Sequence, residues 1–148
     1  MEKVWMKSGL GQISAIADVV GWDKVNEILE TYWRKRAEER VLAIIESRGG
    51  PGNRTCIDLA RAIVGNAASP MTYAPLELTP GRVHVRIPDC GEGEVIKVMG
   101  LAGKTFWPCT RCWREMQGQY VNPKMKCKAV KAICEGDDYC EFDWTLDD

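Results

Sequence analysis

Lys124-Met125-Lys126-Cys127-Lys128-Ala129-Val130-Lys131-Ala132-Ile133-Cys134-Glu135-Gly136-Asp137-Asp138-Tyr139-Cys140-Glu141-Phe142-Asp143-Trp144-Thr145-Leu146 is the stretch whose periodicity decides the fold. Met125, Cys127 and Ala129 alternate with Lys124, Lys126 and Lys128. Cys140, Phe142, Trp144 and Leu146 alternate with Glu141 and Asp143. Side chains of a strand point to opposite faces in turn, so this is a hairpin with one apolar face. The acidic face of one strand meeting the lysine face of its neighbour supports the pairing. A loop over 135–139 sets Cys134 opposite Cys140, Ala132 opposite Phe142 and Val130 opposite Trp144. The inward set then switches from odd to even positions between Ala129 and Val130, which predicts a β-bulge there.

Moving upstream, Leu76 and Leu78, then Val83, Val85 and Ile87, also alternate with polar residues, and Thr79-Pro80-Gly81-Arg82 supplies a turn. This second hairpin carries His84, the single histidine, and Arg86 on its polar face. Pro88-Asp89-Cys90-Gly91 leaves it, and a short helix over 92–99 follows, ended by Gly100. Trp113, Met116 and Tyr120 suggest a helix from Cys109 to Val121, entered through Trp107-Pro108 and closed by Asn122-Pro123.

Residues 1–70 have the period of helices instead. Ile13, Ile16, Ala17 and Val20 form one apolar stripe, and Gly21 stops it. Asp23 reads as the cap of a second helix with the stripe Val25, Ile28, Leu29, Tyr32, Trp33, Val41, Ile44 and Ile45. Its charged middle, Arg34 to Arg40, is a solvated face, and Gly49-Gly50-Pro51 ends it. Thr55 followed by Asp58 is a capping box for a third helix with Ile57, Ala60, Ile63 and Val64 inward. Cys56, in its first turn, reads as a small buried residue. The expectation is an α+β fold: N-terminal helices packed on a small antiparallel sheet with a Cys-rich C-terminal hairpin. One domain spans 1–148, with 1–70 its helical half and 71–148 its sheet and Cys-rich half.

A chain of 148 residues with 45% hydrophobic and 28% charged residues can bury a core without disulfides. Its net charge of -1 offers nothing global to nucleic acid or to an anionic membrane. No apolar run approaches the roughly 18 residues of a membrane span, and Met1 to Leu10 lack a signal core. The expectation is therefore a cytoplasmic protein.

In a reducing compartment the seven cysteines are metal ligands, redox groups or buried apolar residues. Six of the seven lie between Cys90 and Cys140. Cys109 and Cys112 form a C-x-x-C at a helix start, and Cys134 and Cys140 meet across a hairpin loop. Such a pair of pairs suits tetrahedral thiolate ligation of zinc, with Cys127 and Cys90 as further candidates. Four thiolates also hold an iron–sulfur cluster. A redox pair of Cys109 and Cys112, a Cys134–Cys140 bond, and plain burial are the other readings.

The segment Ala132-Ile133-Cys134-Glu135-Gly136-Asp137-Asp138-Tyr139-Cys140-Glu141-Phe142 resembles the closing motif of 4-vinyl reductase-type domains and of proteins similar to L-2-amino-thiazoline-4-carboxylic acid hydrolase. Pro88-Asp89-Cys90, Trp107-Pro108-Cys109 and Asn122-Pro123 resemble further elements of the hydrolase-like group, and the likeness covers residues 72 to 146. It implies an α+β domain with a small-molecule pocket between helices and sheet. It also implies a zinc site, which in the phenol-sensing regulators of this type uses an upstream cysteine, both motif cysteines and a glutamate three residues before the first. Carried over, that set is Cys109 or Cys112 with Cys134 and Cys140. Position 131 is Lys, so Cys112 or Cys127 stands in for the glutamate.

The leading functional expectation is a zinc-stabilised domain that binds a small hydrophobic or heterocyclic ligand as carrier, sensor or accessory subunit. Trp107, Trp113, Tyr120, Phe142 and Trp144 are the candidate pocket residues. Without a fused effector or DNA-binding domain the expectation is a carrier, a chaperone or a subunit of a larger protein assembly, and a homodimer is the other partner expected. The alternatives are a metal-dependent hydrolase of a cyclic C–N bond, with His84, Asp89, Asp137 or Asp138 as base, and an iron–sulfur accessory protein.

Overall fold

A computed structural model of the chain describes residues 2–46, 54–64, 72–105 and 112–147. Among these, five α-helices precede and interleave with a four-stranded antiparallel sheet. The order along the chain is α1 (Glu2–Val20), α2 (Trp22–Glu46), α3 (Cys56–Val64), β1 (Ala74–Thr79), β2 (Arg82–Ile87), α4 (Gly91–Val98), α5 (Arg114–Val121), β3 (Met125–Lys131) and β4 (Cys140–Leu146). The α+β class expected from the change of period is the observed one.

Gly21 has φ +86, a left-handed conformation that breaks α1 from α2, and its N–H closes α1 on the Ala17 carbonyl at 2.8 Å. The second helix starts at Trp22, one residue before the expected cap, so Asp23 lies in its first turn, where a carboxylate favours the helix dipole. The apolar stripes are narrower than expected. Leu10, Ala17, Val25 and Ala37 are buried, while Ile16, Val20, Ile28 and Tyr32 are exposed. Among the described residues these two helices pack mainly on each other, α1 also on α4 and α2 also on α5, so one narrow seam of each is covered. Thr55 caps α3 as expected: its N–H and its hydroxyl both donate to the Asp58 carboxylate, at 3.0 and 3.1 Å. Gly49-Gly50-Pro51 lies outside the described residues.

The strand order is β1-β2-β4-β3, so the two hairpins join through β2 and β4. Val83 pairs with Trp144, Val85 with Phe142 and Ile87 with Cys140. All six are buried on one face of the sheet. Cys56, Leu59, Ala60 and Ile63 of α3 and Val121 of α5 belong to the core cluster that covers this face. Leu76 and Leu78, expected inward, are exposed. They sit on an edge strand, whose register slips between Pro75 and Glu77. Edge side chains have a neighbour on one side only, so alternation there does not guarantee cover.

The expected bulge is present: the register shifts between Ala129 and Lys131, leaving Val130 out of the ladder. The pairings around it differ from expectation. Trp144 pairs with Cys127 and Phe142 with Ala129, rather than with Val130 and Ala132. The reason lies in the connection. A 3-10 turn over Ile133–Glu135 replaces the tight loop, and Gly136 at φ +111 reverses the chain. The Asp137 carboxylate then accepts the Ala132 N–H at 2.8 Å. These extra residues draw Ala132 to Cys134 out of the ladder and into the core.

Candidate functional site

The apolar face of the sheet, the start of α5 and the start of α4 bring together Phe142, Trp144, Cys90, Cys134 and Cys140 of the residues to which the sequence points. Trp144 is fully buried, and its indole N–H donates to the Arg114 carbonyl at 2.8 Å. Phe142 is buried beside it, with ring centroids 5.9 Å apart. Trp113 and Tyr120 are half-buried against this core, and Trp107 lies outside the described residues.

The inward face of α5 is rotated from the one expected. Arg114, Gly118 and Val121 are its buried residues, not Trp113, Met116 and Tyr120. Gly118 explains the rotation: a Cβ there would lie 2.9 Å from Trp144 Cδ1 and 3.2 Å from Met125 Sδ. Only the absence of a side chain lets the helix sit this close to the sheet.

Arg114 is the residue that the sequence reading missed. Its side chain is in the interior, at 4% exposure. The guanidinium donates to the Tyr73 hydroxyl at 3.0 Å and to Gln117 Oε1 at 3.1 Å, and it lies 5.2 Å from the Phe142 ring centroid. A cation against an aromatic face in a dry setting is strongly held. The available signal was its i, i+4, i+7 spacing with Gly118 and Val121, which its charge obscured.

The expected ligand cysteines divide into separate surroundings. Cys134 and Cys140 come together, and Cys90 joins them. All three are buried, and the Ile133 N–H donates to Cys140 Sγ at 3.4 Å. The Cys140 thiol faces the Cys90 sulfur, and the Gly93 N–H faces it from the first turn of α4. The Cys140 contact, against the opposing effect of burial and with help from Gly93, draws the Cys90 thiol down to about 7. Cys140 is raised by Cys90 and by burial. Cys112 lies elsewhere, near Arg34, Glu30 and Glu115, and burial raises its thiol. Cys127 is near Arg114 and Glu115, and burial pushes it up to about 12. Cys109 lies outside the described residues. Among the described residues no group of three or more His, Cys, Asp or Glu has an arrangement that could hold a metal ion. Cys56 is fully buried, as expected, with its thiol 3.9 Å from the Trp144 carbonyl.

The four candidate bases are each held in structural contacts. His84 Nε2 is 2.9 Å from Glu141 on the polar sheet face, opposite to the face that carries the cysteines. Asp89 accepts from the Thr72 N–H and hydroxyl at 3.2 Å. Asp137 caps the turn after β3, and the exposed Asp138 lies 3.7 Å from Lys97. The acidic face of β4 finds its main partners on β2, not on the lysines of β3. Arg82 grips Asp143 with two bonds of 2.9 Å, and Arg86 and His84 share Glu141.

The chain is similar in fold to the crystal structure of the phenol-responsive sensory domain of the transcription activator PoxR with phenol. The TM-score is 0.64 at 12% identity, over 95% of this chain and 74% of that one. No family model and no curated protein matches the sequence. The likeness establishes a shared fold. Among the described residues no helix is long and apolar enough to cross a membrane.

Proposed function

We propose that this domain binds a small aromatic or heterocyclic molecule between its helices and its sheet, and that it acts as a sensor, carrier or accessory subunit. The observation that carries this reading is the shared fold, extending over 95% of the chain, with a sensory domain whose structure holds phenol. The aromatic character of the same region supports it. Phe142 and Trp144 lie in the core, and Trp113, Tyr120 and Tyr73 are half-buried against it. Buried aromatic rings next to a fixed polar group are how small pockets combine affinity with orientation. Arg114 and Tyr73 supply the polar groups here.

Tryptophan fluorescence and thermal unfolding test the proposal with phenol, halogenated phenols, indole and 2-amino-thiazoline-4-carboxylate as probes. A binder in excess raises stability by mass action, by about 2.7 kcal/mol at a hundredfold excess over Kd. Saturable quenching with a rise in Tm supports the reading. No change with any of these probes at millimolar concentration overturns it.

Zinc on Cys134 and Cys140, with Cys109 as the further thiol that the sequence offers, is a second proposal, supported by the meeting of the first two side chains. Iron–sulfur ligation by the same thiols and a hydrolase built on such a metal rest on the same convergence. Metal analysis of protein purified without oxygen tests all three.

A further inference from the structure

We propose that the outer side of α1 and α2 is a docking surface for a second copy of this chain, met across a two-fold axis. The inference is independent of ligand and of metal binding. Nine large apolar side chains are exposed among the described residues, and five of them fall between positions 16 and 32. Val19 is 85% exposed, and Ile16, Val20, Ile28 and Tyr32 are each at least half-exposed. The cause is the narrow seam by which these helices are held. Leu10 and Ala17 are the buried positions of α1, and Val25 and Ala37 those of α2. The i, i+4 pairs Ile16–Val20 and Ile28–Tyr32 are thereby left on the outer flanks. Gly21 is the single residue between the two helices, so these side chains gather about one bend. Apolar residues scattered singly over a surface need no partner, whereas a gathered set marks an interaction site.

Charge, shape and area select the occupant. Between positions 16 and 35 the chain carries four acidic and three basic residues. The exposed pairs Lys24–Glu27 at 2.8 Å and Arg34–Glu30 at 2.7 Å put both signs on the rim. Such a rim, with acid in slight excess, does not draw anionic lipid or nucleic acid, which call for a basic face. It suits itself, because in an isologous contact each sign meets the other after a two-fold turn. An open hollow of about 350 Å³ is lined by Glu27, Ile28, Thr31 and Tyr32. Ile28 and Tyr32 are four positions apart, so an antiparallel α2 from the copy sets its Tyr32 against this Ile28 and its Ile28 against this Tyr32. The Tyr32 ring is held for that contact by Trp33, edge-on at 5.3 Å between centroids. Helices of about 28 and 37 Å, together about 20 Å wide, share a footprint of about 560 Å². That is close to the roughly 600 Å² per partner at which specific interfaces begin, so the dimer depends on concentration.

The test is sedimentation velocity of the full chain, kept reduced, from about 1 to about 200 µM. The mass should rise to that of two chains across this range. Ile28→Glu and Tyr32→Glu each put an unpaired charge into the contact and should weaken the dimer at least about tenfold. Val130→Glu, at an exposed apolar residue on the β3 bulge, should leave it unchanged. All three side chains are exposed, so the variants should keep the wild-type far-ultraviolet spectrum and thermal midpoint. Pelleting with vesicles of anionic phospholipid examines the other occupant of such a face, and the protein should stay in the supernatant. A wild type that is monomeric throughout, a dimer untouched by both Ile28→Glu and Tyr32→Glu, or an equal loss in Val130→Glu overturns the proposal. Vesicle binding that Ile28→Glu abolishes overturns it as well.

Discussion

Arg114 and Trp144 lock the last helix onto the sheet: the indole N–H of the fully buried Trp144 is bonded to the Arg114 carbonyl at 2.8 Å. The contact is possible because Gly118, one turn further along α5, has no Cβ to strike the indole. Gly118→Ala places a methyl 2.9 Å from Trp144 Cδ1, so helix and sheet must part. Overpacking of this kind costs about 1–3 kcal/mol. Urea denaturation should show that loss with an unchanged m-value, and a variant as stable as the wild type would refute the close approach of α5 to the sheet at Gly118.

The polar face of the sheet predicts acid sensitivity. The hydrogen bonds from Arg82 hold the Asp143 carboxyl below its usual range. Burial alone would raise Glu141, but the bonds from Arg86 and His84 outweigh it and bring it down. A carboxyl whose folded pKa is depressed stabilises the fold above its unfolded value, about 3.9 for Asp and 4.3 for Glu. That contribution is lost as pH falls through the lower folded value. The urea midpoint should therefore decline from about pH 5 downward, and Asp143→Asn should flatten the decline. An unchanged slope in that variant would remove Asp143 from the explanation.

The α3 cap can be tested alone. Thr55 N–H and hydroxyl both end on Asp58. Asp58→Ala removes both bonds and should cost about 1 kcal/mol, read as a fall in thermal midpoint. Arg61→Ala, whose exposed guanidinium is 3.7 Å from the same carboxylate, should cost much less.

For ligand binding, Trp113 is the informative aromatic, because it is half-buried rather than sealed in the core. Trp113→Leu should weaken binding of the best probe about tenfold, or about 1.4 kcal/mol, while the far-ultraviolet spectrum stays that of the wild type. Equal affinity in calorimetry would move the site elsewhere.

The zinc proposal makes a different demand. Cys134→Ser and Cys140→Ser should each lower bound zinc and the thermal midpoint, since metal binding energy is folding energy. Cys56→Ser should keep full metal content. Brown protein absorbing near 400 nm would favour iron–sulfur ligation instead. Equal zinc in all three variants would end the proposal.

The sequence alone determined the kinds of element and most of their limits. Period two in 124–146 marked the hairpin and its bulge, Gly21 marked the break between α1 and α2, and Thr55 with Asp58 marked the start of α3. Each of these is local: a strand's alternation, a glycine's left-handed φ and a cap all depend on residues a few positions apart. Tertiary structure decided which apolar residues are covered, which face of α5 turns inward and which cysteines meet. Leu76 and Ile28 look like core residues but fall where no neighbour lies over them, and Arg114 looks like a surface residue but is buried. Cys90, Cys134 and Cys140 gather because β2 pairs with β4 and α4 rests on the turn after β3. Those contacts join segments some fifty positions apart along the chain, and no local period encodes them.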